Sequence, residues 1–91
     1  MIYIDIAWSH NHADEPIRLL SELDNERMER RKVEIFRDGR MCYASPDDHF
    51  LSELGLAPVP HLRDLDDEEF TGKEIEAMEF DDVWARAISK S

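Results

Sequence analysis

Asp38-Gly39 constrains this chain more than any other pair of residues. It sits between two apolar runs, Val33-Glu34-Ile35-Phe36 and Met41-Cys42-Tyr43-Ala44. A two-residue type I′ turn needs φ > 0 at both central positions, and Asp-Gly supplies this at little steric cost. The stretch Arg31–Ser45 therefore predicts a β-hairpin at the centre of a small antiparallel sheet.

The flanking sequence extends that sheet. Ile2, Ile4, Ile6 and Trp8 alternate with Tyr3, Asp5 and Ala7, the period of a first strand over 2–8. A polar loop over 9–15 ends at Pro16. Residues 17–23 predict a second strand, with Ile17, Leu19, Ser21 and Leu23 on one face, and a helix is the alternative that Leu and Glu favour there. Asp24-Asn25-Glu26 reads as a turn, and 28–36 as the long partner of the hairpin. The first half is thus a meander of about four antiparallel strands.

The second half reads as helical. Ser45-Pro46-Asp47-Asp48 has an N-cap serine, a proline at the first helical position and acids in the first turn. It predicts a short helix over 46–54 after the sheet, burying Phe50, Leu51 and Leu54. Residues 57–60 are extended, and 61–70 form a loop or a single helical turn. Gly72 breaks the pattern, and Ile75 marks a short edge strand. From Ala77 the spacing becomes helical: Ala77, Phe80, Val83, Trp84, Ala87 and Ile88 make one stripe. That helix should pack on one sheet face. The expected fold is α+β, a single domain over 1–91 whose sheet is covered by a C-terminal helix. A chain of this size buries about 60–68% of its unfolded surface, enough for one modest core.

Charge narrows the classes of partner. Twenty-two acids face eleven bases, for a net charge of −11. Residues 1–46 hold nine acids and seven bases, a net of −2, whereas residues 47–91 hold thirteen acids and four bases, a net of −9. Direct binding to nucleic acid needs a basic footprint, which this balance denies. A protein partner with a basic surface fits it. Arg27, Arg30, Arg31, Lys32, Arg37 and Arg40 are the one basic cluster, and they are expected to pair with acids across neighbouring strands.

No arrangement of residues announces a reaction or a cofactor. Cys42 is the one cysteine, so no intrachain disulfide forms, and it is expected as a small core residue. His10-Asn11-His12 has chelating spacing if it lies on a strand, with Asp14, His49 or His61 as third ligand. Its setting favours a solvated polar loop. The acids of 64–69 lack the calcium-loop pattern with its central glycine and terminal glutamate. No serine sits in a nucleophile elbow, and no phosphate-binding or dinucleotide fingerprint is present. The expectation is a chain without catalytic, cofactor-binding or metal-binding residues. No signal pattern or membrane-length apolar run occurs, which points to a cytoplasmic protein.

Several motifs carry a resemblance. Tyr3-Ile4-Asp5-Ile6 is followed by Trp8 and His10. Asp14-Glu15-Pro16-Ile17-Arg18-Leu19 leads to Ser21-Glu22-Leu23-Asp24. The hairpin stretch from Arg31 to Arg40, then Tyr43-Ala44-Ser45, is the most specific, and Pro58-Val59-Pro60 and Glu79-Phe80 with Trp84 complete the set. Together they resemble a family of short bacterial proteins catalogued only as a domain of unknown function. The similarity spans nearly the whole chain and departs around Asp47–Ser52. It implies one compact domain and brings no catalytic residues with it.

Two functions fit these readings. The first is a non-enzymatic acidic inhibitor that docks on the basic, nucleic-acid-binding surface of a nuclease or a similar complex. Immunity proteins and anti-CRISPR proteins follow that plan, with carboxylates on a rigid frame standing in for phosphates. Its partner-binding residues would be Asp47, Asp48, Asp64, Asp66, Asp67, Glu68, Glu69, Asp81 and Asp82. The second is a bacterial protein-interaction or regulatory module that binds through a sheet edge or a helix face.

Overall fold

The hairpin forms where Asp38-Gly39 predicts it, but its loop is of a different type. In the computed structural model, which describes residues 1–65 and 68–90, Gly39 N–H donates to the Phe36 carbonyl at 3.0 Å and Phe36 N–H to the Arg40 carbonyl at 2.9 Å. Gly39 alone in this loop has positive φ, at 93°. The loop is therefore Arg37-Asp38-Gly39, a turn closed by one left-handed residue, and not a two-residue type I′ turn. The Asp38 carboxylate accepts the Arg40 N–H at 3.0 Å, which locks the loop from its side chain.

Gly39 is thus required for its backbone and not for space. A Cβ placed there meets nothing within 4 Å. Gly39→Val is expected to cost about 1–3 kcal/mol, all of it conformational strain. Gly39→Asn should recover most of that loss, since asparagine tolerates the left-handed region. Denaturant midpoints of the two variants provide the check.

Among the described residues, six strands build one antiparallel sheet. They are β1 (Ile2–Trp8), β2 (Arg18–Leu23), β3 (Glu29–Ile35), β4 (Met41–Ala44), β5 (His49–Phe50) and β6 (Phe70–Glu74). Their spatial order is β5-β4-β3-β2-β1-β6. The expected four-strand meander is the centre of this sheet, and the two further strands lie at its edges. The same residues hold two helices, α1 (Leu62–Leu65) and α2 (Ala77–Lys90).

The period of the strands sorts residues onto two faces, each with its own apolar cluster. Leu20 faces Val33 across β2–β3, and Val33 faces Tyr43 across β3–β4. These residues, with Met41, pack on Phe80, Val83 and Ala87 of α2. Phe80 and Ala87 are fully buried, as the stripe predicts, while Ala77 and Ile88 at its ends are exposed. On the opposite face Ile4, Ile6 and Leu23 pack with Leu19, Val59, Leu62 and Phe70.

One expected element is absent. The segment read as a helix over 46–54 is a second hairpin, joining β4 to β5. Ser45 N–H donates to the Asp48 carbonyl at 2.6 Å, and Asp48 N–H to Ser45 Oγ at 3.0 Å. Serine at the first position and proline at the second suit a β-turn as well as a helix start. Phe50 and Leu51 decide between them. A helix would have buried both, yet they are 38% and 76% exposed. Leu51 adopts a positive φ of 55°, and the chain turns there onto the second face of the sheet.

Residues 52–62 then cross that second face as a strap. Ser52 Oγ donates to the Glu34 carboxylate, and Gly55 N–H donates to Glu29 Oε1 at 2.7 Å. Arg27 Nε donates to the Val59 carbonyl at 2.7 Å, and Val59 N–H returns to the Arg27 carbonyl at 2.8 Å. The strap ends in α1, a single helical turn as expected. Gly72 does not end β6 but lies within it. A Cβ on Gly72 would stand 2.6 Å from Leu62 Cδ2, so the glycine lets α1 approach the strand.

Candidate functional site

Five of the six bases of the hairpin cluster, Arg27, Arg31, Lys32, Arg37 and Arg40, are engaged within the molecule. Arg31 lies opposite Glu22 on adjoining strands, and its guanidinium donates two hydrogen bonds to that carboxylate, at 2.9 and 2.8 Å. The same group reaches Asp81 on α2 at 2.9 Å. It also lies over the Phe80 ring at 4.9 Å and the Trp84 ring at 5.3 Å. Arg31 therefore ties the sheet to the helix by charge and by ring contact at once. Lys32 pairs with Glu34 at 3.6 Å, and Arg40 with Asp38 at 3.0 Å. Arg37 donates to the His10 carbonyl. On β2, Arg18 pairs with Asp5 at 2.6 Å.

These pairs shift ionisation. Arg31 holds the Glu22 carboxyl below its ordinary value of 4.5, burial opposes the shift, and Tyr3 adds to it. Glu22 in turn raises the Arg31 guanidinium, with Asp81 adding a smaller push. Burial, then Glu22, pushes the Tyr3 phenol up.

Because folding favours ionised Glu22, its stabilisation is complete above pH 4.5 and is lost as pH falls below that value through the folded pKa. The thermal midpoint of the wild type should therefore drop in that acid window. Glu22→Gln should lower the midpoint at neutral pH, by about 2 kcal/mol of stability. It should also make the acid limb shallower. A melt series from pH 7 to about pH 3 measures both effects.

The acids of the second half are disposed differently. Asp64, Glu68, Glu74, Glu76, Glu79 and Asp82 are all exposed. Asp64 lies on α1, which packs beside β6. Glu68 and Glu69 lead directly into β6. Glu74 ends that strand, and Glu76 follows it into α2. The structure thus brings three of the expected binding residues, Asp64, Glu68 and Glu69, to the β6 edge of the sheet. It adds Glu74 and Glu76, the first at the end of β6 and the second in the connection to α2. Asp82 stands on α2 beside Glu79, where both line a cavity of about 190 Å³ with Asp5, Arg18 and Arg86. Asp81 is drawn to Arg31. Asp47 and Asp48 lie in the β4–β5 turn, at the opposite edge of the sheet. Asp66 and Asp67 lie outside the described residues.

The other candidate chemistry resolves into structure. His10 Nε2 bonds the Pro16 carbonyl at 2.8 Å, and its Nδ1 accepts the His12 N–H at 2.9 Å. Both ring nitrogens of His10 thus serve the loop over 9–16, where the ring also packs on Trp8. No group of three potential ligands is arranged to hold a metal ion among the described residues. Cys42 is 5% exposed. Burial, followed by the Glu34 carboxylate, pushes its thiol up. That environment suits a core residue and disfavours the thiolate. No described helix is long and apolar enough to cross a membrane.

Comparison with curated proteins and with solved structures returns no match. A family pattern does match, over residues 2–89. By that match across nearly its whole length, the chain belongs to the family described as Domain of unknown function (DUF6881).

Proposed function

We propose that this chain is a non-enzymatic inhibitor whose acidic surface docks on the basic, nucleic-acid-binding surface of another protein. One observation carries the reading. Acids of the first half, Asp5, Glu22, Glu34 and Asp38, are paired with arginines or lysines. Asp64, Glu68, Glu74, Glu76, Glu79 and Asp82 of the second half point to solvent. Asp81 is held by Arg31, but these six acids of the second half are displayed and not spent on the fold. Carboxylates held on a rigid sheet and helix mimic a row of phosphates, and their summed field speeds capture of a basic partner.

The test is competition. A partner is isolated on the immobilised wild-type chain and mixed with labelled duplex DNA or RNA. The expected result is that the chain displaces nucleic acid from that partner, more weakly as salt rises. A partner that holds the chain and nucleic acid together contradicts inhibition. It would favour the second reading, a protein-interaction module. The edge of β6, which pairs with no second strand among the described residues, is the observation on that side.

A further inference from the structure

We infer that the open edge of β6 receives an extended, lysine- or arginine-rich segment of the partner as an added antiparallel strand. The inference rests on the acidic docking reading and names its surface.

The backbone supplies the first argument. Ile75 N–H donates to the Tyr3 carbonyl, and Ser9 N–H to the Glu69 carbonyl. In an antiparallel ladder the residues that bond the neighbouring strand alternate with residues that point away from it. With Lys73 opposite Asp5 and Thr71 opposite Ala7, the outward residues include Gly72 and Glu74. Their N–H and C=O groups face away from β1 at the end of the sheet. An incoming strand bonds such groups directly. The opposite edge offers less, because β5 is two residues long.

Charge selects the occupant. Asp64, Glu68, Glu74 and Glu76 surround this edge and are exposed. They repel a second copy of the chain, which would bring the same acids edge to edge. They attract a basic strand, whose alternate side chains would lie along β6. On the face that also carries Lys73, a cavity of about 330 Å³ opens beside the strand, lined by Asp5, Ala7, Arg18, Thr71, Gly72 and Lys73. It can take one side chain of the added strand. Arg18, held by Asp5 at 2.6 Å, and Lys73 suit it to an apolar side chain of that strand, whose basic side chains alternate to the other face.

The probe is a peptide of about six residues, alternating valine and lysine, the usual length of a strand. It is titrated into the full chain while backbone amide resonances and their hydrogen exchange are followed. Gly72 and Glu74 N–H should shift, and their exchange should slow by about tenfold or more. Glu74→Pro removes an outward N–H and leaves the bonds to β1 intact, as edge strands allow. It should weaken the peptide by about tenfold. A peptide N-methylated at alternate residues should lose binding to the wild-type protein in the same way, so the test does not depend on the folding of the proline variant. An alternating valine–glutamate peptide should not bind.

Peptide binding that leaves Gly72 and Glu74 unchanged and tolerates N-methylation overturns the edge inference. Acidic docking survives that result, provided binding still depends on lysine. Equal binding of the glutamate peptide overturns the basic occupant. No binding of the lysine peptide up to about 1 mM overturns the inference outright.

Discussion

Phe80→Ala should unfold this protein more readily than any other single truncation on α2, at a cost of about 3–5 kcal/mol. Phe80 is 0% exposed. Its ring stands 5.6 Å from Tyr3 and 6.4 Å from Trp84, and beneath the Arg31 guanidinium at 4.9 Å. Truncation would remove a buried aromatic, leave a cavity and deprive Arg31 of a ring that covers it. The surrounding groups cannot collapse freely, because Arg31 is fixed by Glu22 and Asp81. Trp84→Ala should cost less. Trp84 is only half-buried, although it meets Tyr43 edge-on at 5.3 Å. Urea unfolding of both variants gives the comparison. A Phe80→Ala midpoint close to wild type would mean that α2 is not anchored on the sheet through this ring.

The residues legible in the sequence are those whose neighbours along the chain are also their reason. Ile2–Trp8 is a strand because its alternation persists over its whole length, and the observed bounds agree with it. The helix from Ala77 follows from the spacing of Phe80, Val83, Trp84 and Ala87. Asp38-Gly39 located the hairpin, yet the type of its loop depends on φ at Asp38, which composition does not determine. Ser45-Pro46-Asp47-Asp48 misled for a related reason. Its residues satisfy a helix cap and a β-turn equally, and the choice was made by Leu51 leaving for the far face.

Long-range geometry was less legible. Arg31 and Asp81 meet across fifty positions of chain, and no spacing rule brings them together. Gly72 read as a break, although α1 crossing over β6 is what excludes its side chain. The acidic site was visible as a composition and not as a place. Its charge lies in the second half, as the sequence shows, but only the sheet order separates Asp47 and Asp48 from the acids around β6. Glu74 and Glu76 join that site because one ends β6 and the other stands in the short connection from that strand to α2.

The second large effect concerns binding. Replacing Asp64, Asp66, Asp67, Glu68 and Glu69 by Asn and Gln removes five of the thirteen acids in the second half. Stability should change little, since exposed charges contribute about 0–1 kcal/mol as pairs and Asp64, Glu68 and Glu69 are exposed. Association with a basic partner should slow by about 10- to 1000-fold at low salt, because steering depends on summed charge. Each single replacement should do much less. Dissociation should change less than association, since these residues guide the approach more than they seal the contact. The direct measurement is the association rate of the wild type and the fivefold variant with the isolated partner, at low and at high ionic strength. The account predicts a fast, steeply salt-dependent rate for the wild type and a slow, nearly salt-independent rate for the variant. Equal rates with equal salt dependence would contradict it.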